Sequence, residues 1–235
     1  MLFRFEKEGS DETPRNVVTL LSFRIMPMIS FYCANVNTFL MLYSFEYTLG
    51  MKYAAMIRGI GPTNPNMKGA KLAEAFESCG FNNVRPFLAS GNVLFESDIT
   101  DTGELERMAE AALPRLLGFS REVFICSADD LQRIVDIAPF GERKHENSGK
   151  TYLTVTFFKT PTKDLLEVPP LALPYKPEGK AFELVANVNG ALCCVVDLEH
   201  GKTPDLMQWL ERQYGKHITT RTWSTLTRML AKLQT

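Results

Sequence analysis

The alternation of hydrophobic and polar positions after residue 50 predicts strands and helices in a regular order. Residues 52–58 place Tyr53, Ala55 and Ile57 on one face, as in a half-buried strand. Tight-turn and helix-capping residues separate this segment from those that follow. The other predicted elements are helices over residues 64–80, 101–118 and 127–138 and strands over residues 84–89, 92–96 and 122–126. The resulting β-α-β-β-α-β order is the split βαβ unit of ferredoxin-like folds.

The second half of the chain repeats this plan. Asn189-Gly190 is a strong signal for a hairpin turn, and Thr203-Pro204 is typical of a helix start. The predicted elements are strands over residues 152–158, 182–188, 192–196 and 217–220 and helices over residues 161–168, 203–215 and from 222 onward. We therefore predict an α+β protein with two tandem ferredoxin-like lobes and mainly antiparallel sheets.

A polar stretch, residues 141–150 (GERKHENSGK), is the predicted connector between the lobes. It divides lobe 1, residues 51–140, from lobe 2, residues 151–235, which ends in a helix.

The first fifty residues follow no helical or alternating period. From Ile25 to Phe45 the chain has 21 consecutive uncharged residues, about the length of a membrane span. Interspersed polar residues weaken that interpretation, and acidic residues near the start do not fit a signal peptide. We predict that residues 1–50 are an extension that is disordered or not native, with Met51 as the start. A weak membrane anchor and an ordered extension remain alternatives, whereas no membrane contact is expected for residues 51–235.

Composition narrows the classes of function. The 235 residues include 26 Lys and Arg and 27 Asp and Glu, so charge gives no support to nucleic-acid binding. Five Cys without ligand spacing indicate a reducing compartment and no disulfide framework, and Cys193 and Cys194 are predicted to be buried. Three well-separated His do not suggest zinc, and no Gly-rich phosphate loop or nucleophile elbow is present. We therefore predict neither a metal nor a cofactor.

The strand order also occurs in RNA-recognition modules, which carry a basic and aromatic third strand. Here that strand is Gly91 to Phe95 (GNVLF), which lacks the basic residue and the stacking pair. Trp209 and Trp223 could stack on a base, but Trp209 lies on the apolar stripe of a predicted helix. The sequence therefore disfavours that class.

Three segments of the chain resemble the signature blocks of a bacterial family. They are residues 53–60 (YAAMIRGI), 88–95 (LASGNVLF) and 219–225 (TTRTWST). The family is catalogued as domain of unknown function 1697, and the resemblance runs from about Met51 to the C-terminus. It implies a soluble, cytoplasmic protein of two α+β lobes with no established activity. One departure is the loop after Arg58, which usually continues Asn-Val-Gly-Gly but here contains residues 61–65 (GPTNP). Whether a ligand of that loop would be the same here stays open.

The polar residues of those blocks are the candidate site. They are Arg58, Ser90, Gly91, Asn92, Thr220 and Arg221. Turn geometry alone is an alternative explanation of Ser-Gly-Asn, and both arginines could be surface or lobe-bridging residues.

Three functions remain open for this set of residues. The preferred one is a binding module for a phosphate-bearing ligand, such as a nucleotide, held between Arg58, Asn92 and Arg221 in a cleft between the lobes. The alternatives are a small enzyme in the same cleft and a protein-interaction module. The preferred function requires the two arginines to lie within about 15 Å of each other.

Overall fold

The computed structural model describes residues 50–59, 69–88, 91–146, 150–159 and 173–235. It also describes the backbone of two short antiparallel strands, β1 (Tyr32–Cys33) and β2 (Phe39–Leu40). Residues Met1–Thr48 and Leu49–Thr235 form separate compact units. Apart from β1 and β2, the predicted N-terminal extension and its uncharged stretch lie outside the described residues.

The first lobe is a four-stranded antiparallel sheet with the strand order β4-β5-β3-β6. Its first and third strands, β3 and β5, are neighbours at the centre, as expected for the split βαβ unit. The elements are β3 (Met51–Ile57), α1 (Gly69–Glu77), β4 (Asn82–Phe87), β5 (Asn92–Ser97), α2 (Thr102–Leu117), β6 (Val123–Ser127) and α3 (Ala128–Asp136).

The second lobe has the same arrangement, with the antiparallel strand order β10-β7-β9-β8. Its elements are β7 (Thr151–Phe158), β8 (Phe182–Val188), β9 (Ala191–Asp197), α4 (Thr203–Tyr214), β10 (Ile218–Thr222) and α5 (Trp223–Leu233). The predicted helix over residues 161–168 lies outside the described residues. The two lobes confirm the predicted α+β class.

Local sequence signals explain most element boundaries. The Asp101 side chain accepts a hydrogen bond from Gly103 N and starts α2, and Gly118 ends that helix in the left-handed conformation. Strand β4 begins two residues earlier than predicted and contains Pro86, which an edge strand tolerates because it lacks a neighbour on one side. The predicted helix start at residues 64–65 is outside the described residues, and α1 is described from Gly69.

The central strands of each sheet are buried on both faces. In β3, Tyr53, Ala55 and Ile57 pack with α1 and α2, whereas Ala54 and Met56 enter a core shared with the other lobe. Residues from α3, β7 and α5 also belong to that shared core: Leu131, Ile134, Leu153, Val155, Leu226, Met229, Leu230 and Leu233. Among the described residues, the space between the sheets is therefore filled by side chains and is not the open cleft expected from the sequence. A small cavity of about 40 Å³ remains beside the Asn189-Gly190 turn.

The adjacent cysteines confirm the two-faced packing. Cys193 belongs to the shared core and Cys194 to the core between the second sheet and α4. Burial raises the pKa of Cys193 to about 12 and raises the pKa of Cys194 as well. Both thiols are therefore inert hydrophobic side chains at neutral pH.

Candidate functional site

The predicted site residues lie at two places. One is the edge of the first sheet at which β3 ends and β5 begins, and the other is β10, the strand of lobe 2 that contacts this edge. Arg58 follows β3 directly, and Gly91 O accepts a hydrogen bond from Ile57 N at 2.8 Å. Asn92 begins β5, and Thr220 and Arg221 lie in β10. Ser90 lies outside the described residues.

Arg221 joins the two lobes through neutral oxygen atoms. Its Nε donates to Asn92 Oδ1 at 2.7 Å and its Nη2 to Ile57 O at 3.0 Å. Its Nη1 donates to Thr219 Oγ1 and Thr220 O, both at 2.9 Å. Burial lowers the pKa of Arg221 to about 10, so the side chain stays charged at neutral pH. Its geometry is that of a bridge between β10, β3 and β5.

Asn92 is positioned to accept the hydrogen bond from Arg221. Its side chain is 0 % exposed, and its Nδ2 donates to Phe87 O at 3.2 Å across the β4–β5 hairpin. That bond fixes the orientation of the amide, so Oδ1 points to Arg221. The Thr220 hydroxyl instead lies 2.8 Å from Thr156 Oγ1, a cross-strand pair within lobe 2.

Arg58 also reaches the other lobe, and it has a carboxylate partner. Its Nε donates to Ile218 O at 3.0 Å, and its Nη2 lies 2.6 Å from Glu211 Oε1 on α4. The Arg58 and Glu211 side chains are 32 % and 33 % exposed. Glu211 lies outside the three signature blocks, so no sequence pattern pointed to this ion pair.

The two arginines are close neighbours. Arg221 Nη2 bonds to the Ile57 carbonyl oxygen. Standard backbone geometry then places it within about 6 Å of the next Cα, that of Arg58. The structure therefore brings Arg58, Gly91, Asn92 and Arg221 together.

Further ion pairs link the lobes around the same edge. His217 Nδ1 is paired with Glu122, and Lys159 Nζ lies 3.0 Å from Glu106 Oε2 and also contacts Glu110 and Val123 O. Burial raises the pKa of Glu106, while the hydrogen bond from Ile125 N and the charge of Lys159 oppose that rise. No sequence pattern pointed to these pairs, since each joins residues from separate lobes.

Arg121 supplies an exposed cation at this edge. Its Nε lies 4.0 Å from the point that a Cβ on Gly59 would occupy. Gly59 has a φ of +65°, a conformation that favours glycine. Within the described ranges Arg121 makes no ion pair, and its Nη1 donates to the carbonyl oxygen of the neighbouring Ser120. The edge therefore presents two arginine side chains to solvent beside Gly59.

Among the described residues, one group of side chains near the end of β9 lies close enough together to ligate a metal ion. It consists of Asp197, Glu199 and His200. These groups already have partners, because His200 Nδ1 lies 2.7 Å from Asp197 Oδ2 and Glu199 Oε1 lies 2.6 Å from Lys150 Nζ. The hydrogen bond from His200 lowers the pKa of Asp197. Among the described helices, none has the length and apolar character needed to cross a membrane.

A comparison with solved structures identifies a protein of similar fold. The chain matches 99 % of a conserved bacterial protein, SP0830 from Streptococcus pneumoniae, over 79 % of its own length, with a TM-score of 0.55 and 17 % identity. At that identity the likeness concerns the fold. No curated protein matches the sequence significantly. A family model described as "Protein of unknown function (DUF1697)" matches residues 51–174, and the chain therefore belongs to that family.

Proposed function

We propose that the protein binds a small phosphate-bearing ligand at the edge of the first sheet, where Arg58 and Arg121 flank Gly59. The supporting observation is the convergence of arginines from separate segments on one strand end. Arg58 is about one-third exposed and Arg121 is exposed, so both can contact a ligand. Guanidinium groups bind phosphate through charge-assisted, often bidentate, hydrogen bonds.

Two further polar residues, Arg221 and Asn92, maintain the geometry of this edge. All three nitrogens of the Arg221 guanidinium group already donate to protein oxygens. Asn92 is fully buried beneath it. We therefore assign Arg221 and Asn92 the role of positioning residues and Arg58 and Arg121 the role of ligand contacts.

Glu211 sets the affinity of this site. The glutamate occupies one nitrogen of Arg58, whereas Arg58 Nη1 makes no hydrogen bond within the described residues. A phosphate approaching Arg58 meets a competing carboxylate at close range, so repulsion weakens its binding. A ligand of this site therefore needs the second cation, Arg121, for its affinity.

Calorimetric titration of the full chain with inorganic phosphate, pyrophosphate and ADP tests the proposal. We expect saturable binding of at least one of them. Arg58→Gln and Arg121→Gln should each weaken it by about 1.5–3 kcal/mol, the usual contribution of a hydrogen bond to a charged group. Arg107→Gln, which removes an exposed arginine of α2, is the matched control and should bind like the unmodified chain. Absence of saturable binding, or equal binding by all three variants, would refute the proposal.

A further inference from the structure

A second pair of arginines lies on the edge strand β4 and on helix α5. Arg85 and Phe87 lie opposite Leu94 and Asn92, so both point to the same face of the sheet. The guanidinium carbon of Arg228, on α5, lies 5.8 Å from the centre of the Phe87 ring. Arg228 of α5 therefore lies on the face of the first sheet that also carries Arg85, two residues from Phe87 along β4.

Neither arginine is neutralised within the part of the chain that the structure describes. No ion pair involves Arg85 or Arg228 there. The Nε of Arg85 is buried and has no hydrogen-bond acceptor among the described residues. A buried donor without an acceptor has lost its water and gained nothing in exchange, which favours an arriving acceptor atom.

We propose that Arg85 and Arg228 form a binding site for a phosphate group, with Phe87 holding the Arg228 guanidinium by a cation–π contact. An oxyanion at this place neutralises both cations, and Arg85 Nε, which is covered in the free protein, donates to it once the half-buried Arg85 side chain turns outward. Asn83, within β4, and Leu88, directly after it, have φ of +49° and +57°, which is uncommon for residues other than glycine and most costly for Leu88.

This site is separate from the one at Arg58. Strand β5 lies between β4 and β3, and Leu94, opposite Arg85, pairs with Ala54, four residues before Arg58. Strand spacing and rise per residue then place Arg85 and Arg58 about 16 Å apart. One phosphate group cannot contact both.

The test is NMR of the arginine Nε–Hε groups in the full-length protein, with the Arg85 signal assigned by its loss in Arg85→Lys. Sodium phosphate is titrated against sodium chloride at matched ionic strength. We expect phosphate to shift the Arg85 signal saturably and chloride not to do so. Arg228→Gln should weaken the phosphate response about tenfold, and Arg58→Gln should leave it unchanged.

Controls make each outcome decisive. Arg228 is exposed, so Arg228→Gln should keep the melting temperature, and the exposed Arg107→Gln should leave the Arg85 response intact. A response that chloride reproduces, or that survives Arg228→Gln at full strength, overturns the inference. Repeating the titration with AMP distinguishes a free phosphate from a phosphate carried by a nucleotide. Because Arg85 is observed directly, this result stands apart from calorimetric binding at Arg58.

Discussion

At the scale of single residues, one buried amide connects the two lobes. Asn92 donates to Phe87 O within lobe 1 and accepts from Arg221 of lobe 2, so one side chain satisfies two partners. Turn chemistry explains why an asparagine follows Gly91 but says nothing about Arg221. The hairpin was predictable from the sequence, whereas the interlobe bond depends on a packing that brings together residues 129 positions apart.

Asn92→Ala should therefore lower the free energy of unfolding by about 2–3 kcal/mol, because Arg221 Nε loses the acceptor that satisfies it in a buried place. Thermal and urea unfolding of the full chain measure the loss. Gln208→Ala removes an amide from the exposed side of α4 and should cost less than about 0.5 kcal/mol. Equal losses in the two variants would show that the Asn92 amide contributes no more to stability than an exposed amide does.

Glu211→Gln should tighten phosphate binding several-fold, since it removes the negative charge beside Arg58 and keeps a side chain of similar size. The loss of stability should stay below about 1 kcal/mol, because the ion pair is partly exposed to solvent. Calorimetry with inorganic phosphate measures the first effect and thermal unfolding the second. Unchanged or weaker binding would contradict the role given to Glu211.

At the scale of elements, Lys159 connects the end of β7 to helix α2 of the other lobe. Its Nζ contacts Glu106, Glu110 and Val123 O, and Lys159 and Glu106 are only 17 % and 5 % exposed. The sequence shows Glu106 only as a charged residue in an amphipathic helix. Its burial follows from lobe 2 covering that end of α2, which no local pattern encodes.

Lys159→Met should lower the free energy of unfolding by about 3 kcal/mol, because the buried Glu106 carboxyl group loses the cation that offsets its desolvation. Glu106→Gln in the same chain should recover a large part of this loss, since glutamine still accepts the hydrogen bond from Ile125 N. Urea unfolding of both single variants and the double variant measures the coupling. Losses that simply add in the double variant would exclude it.

At the scale of the whole molecule, the lobes are held together by a shared hydrophobic core. The strand order of each lobe was predictable from hairpin signals and helix caps. The shared core has a weaker sequence signal: Tyr53 to Ile57 is a continuous apolar run, which is typical of a strand buried on both faces. Alternation alone suggested one buried face, and the position of the second layer depends on α3 and α5.

Cleavage of the backbone in the connector should therefore leave the two lobes associated. Limited proteolysis is expected within residues 141–150, although Arg143 pairs with Glu183 at 3.2 Å and His145 Nδ1 accepts from Leu153 N at 3.1 Å. A denaturing gel should show two fragments, while gel filtration in native buffer should show one species of unchanged size. Separate peaks in native buffer, or earlier cleavage inside β7, would contradict this expectation. The physical reason is that the nine Leu, Ile, Val and Met side chains named above for the shared core, at about 1.5–3 kcal/mol each, outweigh the roughly 4–15 kcal/mol that association costs.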